Sequence, residues 1–208
     1  MIYLSGTYSR VLPQYRHRFG YMLNVNRQIG GEAEAVQYPW MLDNGAFNGK
    51  WSEDVWRRRL EKLAPHTATC IAAVVPDVVG DHAATLARWE QYAPYVKALG
   101  YKAAFATQYG ATVGNIPWSE IDVLFVGDSE ARRRTYCWPL IDEAKRRGLW
   151  VHVGRVNSAS AIRRYARADS VDGTIFRFDT TQSRIERILC AVQRCNQLQQ
   201  HATLFSLD

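Results

Sequence analysis

The chain predicts an α/β fold, a compact or incomplete (β/α)8 barrel of the TIM type. Three observations lead there. Short apolar runs alternate with longer helical stretches along nearly the whole chain. Runs such as residues 71–75 are β-branched and apolar without interruption, as strands buried on both faces are. Nearly every run ends on a polar residue or a glycine, which is where barrel enzymes carry their working groups. An open doubly wound sheet is the alternative, but no Gly-x-Gly-x-x-Gly follows the first run.

Residues 1–4 are a short apolar strand, and residues 40–42 lead as a second strand into Asp43. Ser52 caps a helix to about Leu63, with Glu53 and Asp54 complementing its first turn. After the strand at 71–75, Asp81 opens a helix to about Leu99 that Gly100 closes. Strands follow at 102–107 and 123–126, then a helix from Ser129 to Gly148. A strand at 149–153, a helix capped by Ser158, a strand at 170–172 and a helix over 182–199 complete the series. That gives about seven strands. Residues 5–38 carry no clear period and read as irregular with some helix.

At 208 residues, with 47% hydrophobic and 22% charged side chains, the chain fits one globular domain spanning 1–208. It carries 26 basic and 20 acidic residues, a net charge of +6 that favours a polyanionic partner. No long apolar segment is present, so neither a signal peptide nor a membrane partner is expected, and a cytoplasmic location is. Cys70, Cys137, Cys190 and Cys195 match no disulfide framework, and with His201 they match no common zinc spacing. They are expected as reduced thiols. Neither a metal nor another cofactor is expected.

The polar residues behind the runs are Asp43, Asp77, Gln108, Gly127 with Asp128, Gly154 with Arg155, and Asp172. In a barrel all of them reach one mouth. Several carboxylates in one pocket point to acid/base or covalent chemistry. Asp169 stands three residues before Asp172, and one of the two would react while the other braces the loop. Between Met1 and Gly31 there is no acid, and Arg10, Arg16, His17, Arg18 and Arg27 are interleaved with Tyr8, Tyr15 and Tyr21. Basic and aromatic residues together suit phosphate contact and base stacking. The runs Arg57-Arg58-Arg59 and Arg132-Arg133-Arg134 read as solvated helix faces.

Asp43-Asn44-Gly45-Ala46-Phe47 resembles the Asp-Ser-Gly-Gly-Phe/Tyr motif of tRNA-guanine transglycosylases. Asp169-Ser170-Val171-Asp172 resembles their Asp-x-Phe-Asp nucleophile motif, and Thr107-Gln108-Tyr109-Gly110 is similar to their Val-Gln-Gly-Gly turn. Phe125-Val126-Gly127-Asp128 is similar to their Gly-Gly-rich strand end, and Val151-His152-Val153-Gly154-Arg155-Val156 to their Leu-Met-Gly-Val-Gly segment. The five keep the family's order over residues 40–174. The chain lacks the family's Cys-x-Cys-x-x-Cys…His zinc site and has no room for an added RNA-binding domain. The short form looks most like the phage-type DNA-guanine transglycosylases of deazapurine DNA modification.

The resemblance implies that guanine in DNA is exchanged for a free 7-deazaguanine such as 7-cyano-7-deazaguanine (preQ0), with helper proteins of a modification system as possible partners. By motif position Asp172 would be the nucleophile and Asp43 the general acid/base. Asn44, Asp77, Gln108 and the Gly127 backbone would read the base, with Gly154 lining the same site. Phe47 would stack on one face of the base and Val153 would cover the other. Arg10, Arg16, Arg18 and Arg155 would meet the nucleic-acid backbone. The same chemistry on tRNA and a non-catalytic nucleic-acid-binding relic of the fold are the alternatives. A metal-dependent hydrolase using Asp43, Asp77, His82 or His152 is a third.

Overall fold

A computed structural model describes residues 1–8, 15, 18–49, 51–178 and 181–204. Eight strands form a closed barrel: β1 (Ile2–Ser5), β2 (Phe19–Asn24), β3 (Trp40–Asp43), β4 (Cys70–Val74), β5 (Ala103–Thr107), β6 (Val123–Val126), β7 (Trp150–Val153) and β8 (Ser170–Gly173). Each strand pairs in parallel with the next, and β8 closes on β1 with Asp172 beside Leu4. The helices between the strands are α1 (Glu32–Ala35), α2 (Glu53–Leu63), α3 (His82–Ala98), α4 (Glu130–Arg146) and α5 (Ala159–Arg164), and α6 (Ile175–Phe178) and α7 (Gln182–Leu204) follow β8. The expected (β/α)8 class holds, and the barrel is complete rather than partial.

The eighth strand is β2, inside the segment expected to be irregular. Phe19-Gly20-Tyr21-Met22-Leu23-Asn24 contains a glycine and no β-branched residue, so its strand signal is weak. Gly20 is there for space. A Cβ would stand 2.0 Å from the Pro39 carbonyl oxygen and 2.8 Å from the Leu4 side chain.

The helix punctuation reads as expected in most places. The Asp81 side chain accepts the Ala84 N–H at 3.0 Å, and the Ser158 hydroxyl accepts the Ala161 N–H at 3.1 Å. Ser52 takes the cap position of α2 but makes no side-chain cap bond. Trp56, Leu60 and Leu63 of α2 are buried at helical spacing. The arginine runs divide. Arg57 pairs on the surface with Glu53, whereas Arg59 is buried in a two-point ion pair with Glu32. Arg133 is 1% exposed. Reading both runs as solvated faces therefore fails for Arg59 and Arg133, because each finds a partner in the packed layer.

The strands separate two cores. Leu4, Met22, Met41, Ala72, Val74, Ala104, Ala106 and Val123 fill the barrel interior. A larger layer, with Leu42, Trp56, Trp89, Phe105, Val153 and Val171, lies between strands and helices. Successive side chains of a strand alternate between these two layers. The interior side chains of β4 and β5 include Ala72, Ala104 and Ala106, which leave space beneath the mouth. No helix among the described residues is long and apolar enough to cross a membrane. Cys70, Cys137, Cys190 and Cys195 are free thiols.

Candidate active site

A cavity of about 350 Å3 opens at the C-terminal ends of the strands. Asp43, Asn44, Phe47, Asp77, Gln108, Gly127, Gly154, Arg155 and Asp172 all line it. Parallel pairing sets this convergence, because it turns the C-terminal end of every strand toward one face.

The β3 turn builds one wall. Gly45 has φ +74, and a Cβ there would lie 2.3 Å from Asn26 Nδ2, so only glycine fits. This turn directs Asn44 inward. Its Oδ1 accepts the Ala46 N–H at 2.8 Å, and its Nδ2 donates to the Val75 carbonyl at 2.9 Å and to Asp77 Oδ1 at 2.7 Å. Asn44 is 2% exposed, and both hydrogens of its amide are engaged. Its amide orients Asp77, and its Oδ1 keeps one acceptor position at the cavity it lines.

Asp77 is held from two sides. Asn44 donates to one carboxylate oxygen, and Gln108 Nε2 donates to Oδ2 at 2.6 Å. Gln108 Oε1 in turn accepts the Gly80 N–H at 2.9 Å, which fixes the amide's direction. Burial raises the Asp77 carboxyl above its ordinary range, against the pull of the Asn44 bond. Two acceptor positions remain on the carboxylate, enough for two adjacent donors on a ligand edge.

Asp43 accepts Asn24 Nδ2 on Oδ2 at 2.5 Å. Its pKa is raised to about 6, first by burial and then by the negative charge of Asp172. A carboxyl in that range can both give and take a proton near neutrality.

Asp172 is bound on one side only. His152 Nε2 lies 3.0 Å from Oδ1, and the Arg155 N–H donates to the same oxygen at 3.2 Å. Among the described residues Oδ2 has no hydrogen-bond partner. Behind it, His152 Nδ1 lies 2.8 Å from Ser170 Oγ, which accepts the Trp150 indole N–H at 2.9 Å. Trp150 can only donate, so the Ser170 hydrogen is free to point at His152 Nδ1. With its proton on Nε2, His152 donates to Asp172 and accepts the Ser170 hydroxyl on Nδ1, a pattern both contacts accommodate. His152 is fully buried, 4.7 Å from the Phe125 ring. The sequence named His152 only as a metal-ligand candidate. Its place beside Asp172 follows from the β7–β8 register, which sets His152 opposite Ser170.

Arg133 lines the cavity without having been singled out as a site residue in the sequence, whereas Asp128 was among the strand-end residues. Arg133 donates to the Gly154 carbonyl and pairs with Glu130. Asp128 is 6% exposed, and its Oδ1 accepts the Ser129 N–H at 2.6 Å. Among the described residues Asp128 (φ 69) and Arg155 (φ 58) are the non-glycine residues with positive φ, and both line this cavity. Strained backbone gathered at one place is characteristic of functional sites.

Three expectations change. Val153 is fully buried in the layer between strands and helices. It cannot cover a base, because it follows His152 on the strand and so points the other way. Arg18 lies at the start of β2, at the opposite end of the barrel, where its carbonyl accepts the Tyr3 N–H. Arg10 and Arg16 lie outside the described residues. Tyr21 is a core residue, its ring stacked 6.0 Å from that of Tyr8.

Asp169 is the brace. Its carboxylate pairs with Lys145 at 2.7 Å and accepts the Val151 N–H at 2.8 Å. Among the described residues no group of three His, Cys, Asp or Glu side chains is gathered closely enough to hold a metal ion. Comparison of the chain with protein-family models, curated proteins and solved structures gave no match.

Proposed function

We propose that the chain is a pentosyltransferase that exchanges guanine in DNA for a free 7-deazaguanine through a covalent glycosyl-aspartate. The single observation that carries this reading is that Asp43, Asp77 and Asp172 line one cavity in three chemically different states. Asp77 is buried, aligned by two amides and keeps acceptor capacity. Asp43 is poised to move a proton. Asp172 leaves one oxygen unbonded among the described residues.

Asp77 would accept N1–H and the 2-amino group of guanine. A 7-deazaguanine carries the same edge and fits the same place. An adenine would leave the buried carboxylate unsatisfied, a loss of about 1–3 kcal/mol. Asp172 Oδ2 would attack C1′ as the C1′–N9 bond breaks. The electron pair leaves with guanine, which takes the Asp43 proton. The entering deazaguanine then gives its N9 proton to Asp43, and N9 displaces Asp172 from C1′. The sugar is inverted twice, so its configuration is retained, and no water is consumed. His152 and the Arg155 N–H would steady Oδ1 through both steps. The target base must be flipped out of a duplex or unpaired to enter such a cavity.

The test is incorporation of labelled preQ0 into guanine-containing DNA by the purified chain, compared with Asp172→Asn. Label that appears with the native chain and not with the variant is the expected result. Incorporation that survives Asp172→Asn sinks the nucleophile assignment. No incorporation into any DNA substrate sinks the reading.

A further inference from the structure

Seven large apolar side chains are exposed among the described residues: Phe47, Val79, Tyr109, Val113, Trp138, Phe178 and Leu198. Five of them follow the C-terminal ends of strands: Phe47 after β3, Val79 after β4, Tyr109 and Val113 after β5, and Phe178 after β8. Scattered apolar exposure needs no explanation, but a concentration at one end marks an interaction surface.

Charge accompanies it. The Arg155 guanidinium lies 3.8 Å from the Phe47 ring centre, Arg132 lies 5.8 Å from that of Tyr109, and Arg177 lies 5.6 Å from that of Phe178. None of these three arginines pairs with an acid among the described residues. Arg155 and Arg177 also line the cavity. The rim thus repeats one unit: an exposed aromatic ring with a cation against it that pairs with no acid among the described residues.

We propose that this rim is a docking surface for an unpaired DNA strand. Bases flanking the target stack on Tyr109 and Phe178, while Phe47 stays with the target base at the cavity, and Arg155, Arg132 and Arg177 meet the phosphates. A duplex hides its base faces in its own stack and could use only the cations. An unpaired strand uses both halves of each unit. The choice of DNA rests on the base-exchange reading; the preference for unpaired nucleotides rests on the rim itself.

Binding is measured by fluorescence anisotropy on the full-length Asp172→Asn chain, so that turnover does not intervene. The probe is a labelled DNA single strand of about 12 nucleotides with one guanine, and the competitors are its duplex and the matching RNA. The single strand is expected to bind at least about tenfold more tightly than the duplex. Added Tyr109→Ala or Phe178→Ala should each weaken it about 5- to 100-fold, and Tyr109→Phe should bind as the parent does. Leu198→Ala, exposed on α7 away from the mouth, controls for the loss of any surface apolar group and should change nothing. Arg132→Gln and Arg177→Gln should each flatten the slope of log affinity against log salt by about 0.7. Duplex bound as tightly as the single strand, or alanine variants that bind like the parent, overturns the proposal. RNA bound more tightly than DNA overturns the choice of DNA. Tight single-strand binding without base exchange by the native chain would instead defeat the base-exchange reading and leave the rim standing.

Discussion

Asp169 and Asp172 stand three residues apart at opposite ends of the barrel. Asp169, at the closed end, has a lysine and a backbone amide on its carboxylate. Asp172, at the open end, has one oxygen held by an imidazole and an amide, and the other unbonded among the described residues. The same contrast runs through both faces. At the closed end Asp122 accepts the Ala103 N–H and the Arg18 carbonyl accepts that of Tyr3. At the open end are Asp43 with its raised pKa, positive φ at Asp128 and Arg155, and the exposed rings. One end is built to be satisfied and the other to be completed by a ligand. Unsatisfied groups and strain oppose folding, so they persist where function maintains them.

The sharpest way to break this contrast is the end-to-end pair of substitutions. Asp172→Asn should lower single-turnover base exchange by at least about a thousandfold, since an amide is a poor nucleophile. Loss of comparable size in Asp169→Asn would erase the distinction between the two ends. Asp43→Asn comes next, with a fall in kcat of about a hundred- to a thousandfold and little change in binding of the base. The same variant should be more stable at pH 7. The Asp43 carboxyl titrates at about 6 when folded, against 3.8 unperturbed. The folded chain therefore holds this proton more tightly, and the stability it contributes is present below pH 3.8 and lost as pH rises through about 6. An asparagine does not ionise, so thermal melts at pH 7 should show a gain of about 1–3 kcal/mol, shrinking toward pH 4. A variant that melts lower at pH 7 than the parent contradicts this account.

His152→Phe should reduce kcat by about 10- to 100-fold with KM almost unchanged, because Oδ1 loses a buried donor but the base site does not. His152→Gln, which can still donate, should recover part of that loss. Equal loss in both variants would make His152 a packing residue only. Asp169→Asn should lower stability by about 1–2 kcal/mol and leave turnover intact, as measured by denaturant midpoints beside steady-state rates. The smallest effect is reserved for Arg18→Gln, whose DNA affinity should stay within about twofold of the parent, because that residue sits at the closed end.

Much of the site was legible in the sequence because strands announce their own ends. A carboxylate directly behind an apolar run can be read without coordinates, and Asp43, Asp77 and Asp172 were all of this kind. What could not be read was which neighbour each would meet. Asn44 looked like a base reader, and its amide also clamps Asp77, a partner 33 residues away. Arg133 looked like part of a solvated run, yet its guanidinium reaches the Gly154 carbonyl across the helix–strand layer. Val153 and His152 were adjacent and equally apolar in context. Only strand alternation, anchored by the β7–β8 register, decides which of them faces Asp172.

The sequence by itself determined the class of fold, the order of its elements and the set of acids at the strand ends. These follow from local patterns: periodicity, caps and turns are written within a few residues of where they act. Only the tertiary structure decided that β2 completes the ring, that the acids share one cavity, and that each has a different state. Closure of the barrel depends on a pairing between β1 and β8 across the whole chain. The state of each carboxylate depends on burial and on donors brought from other strands. Neither quantity belongs to any segment alone.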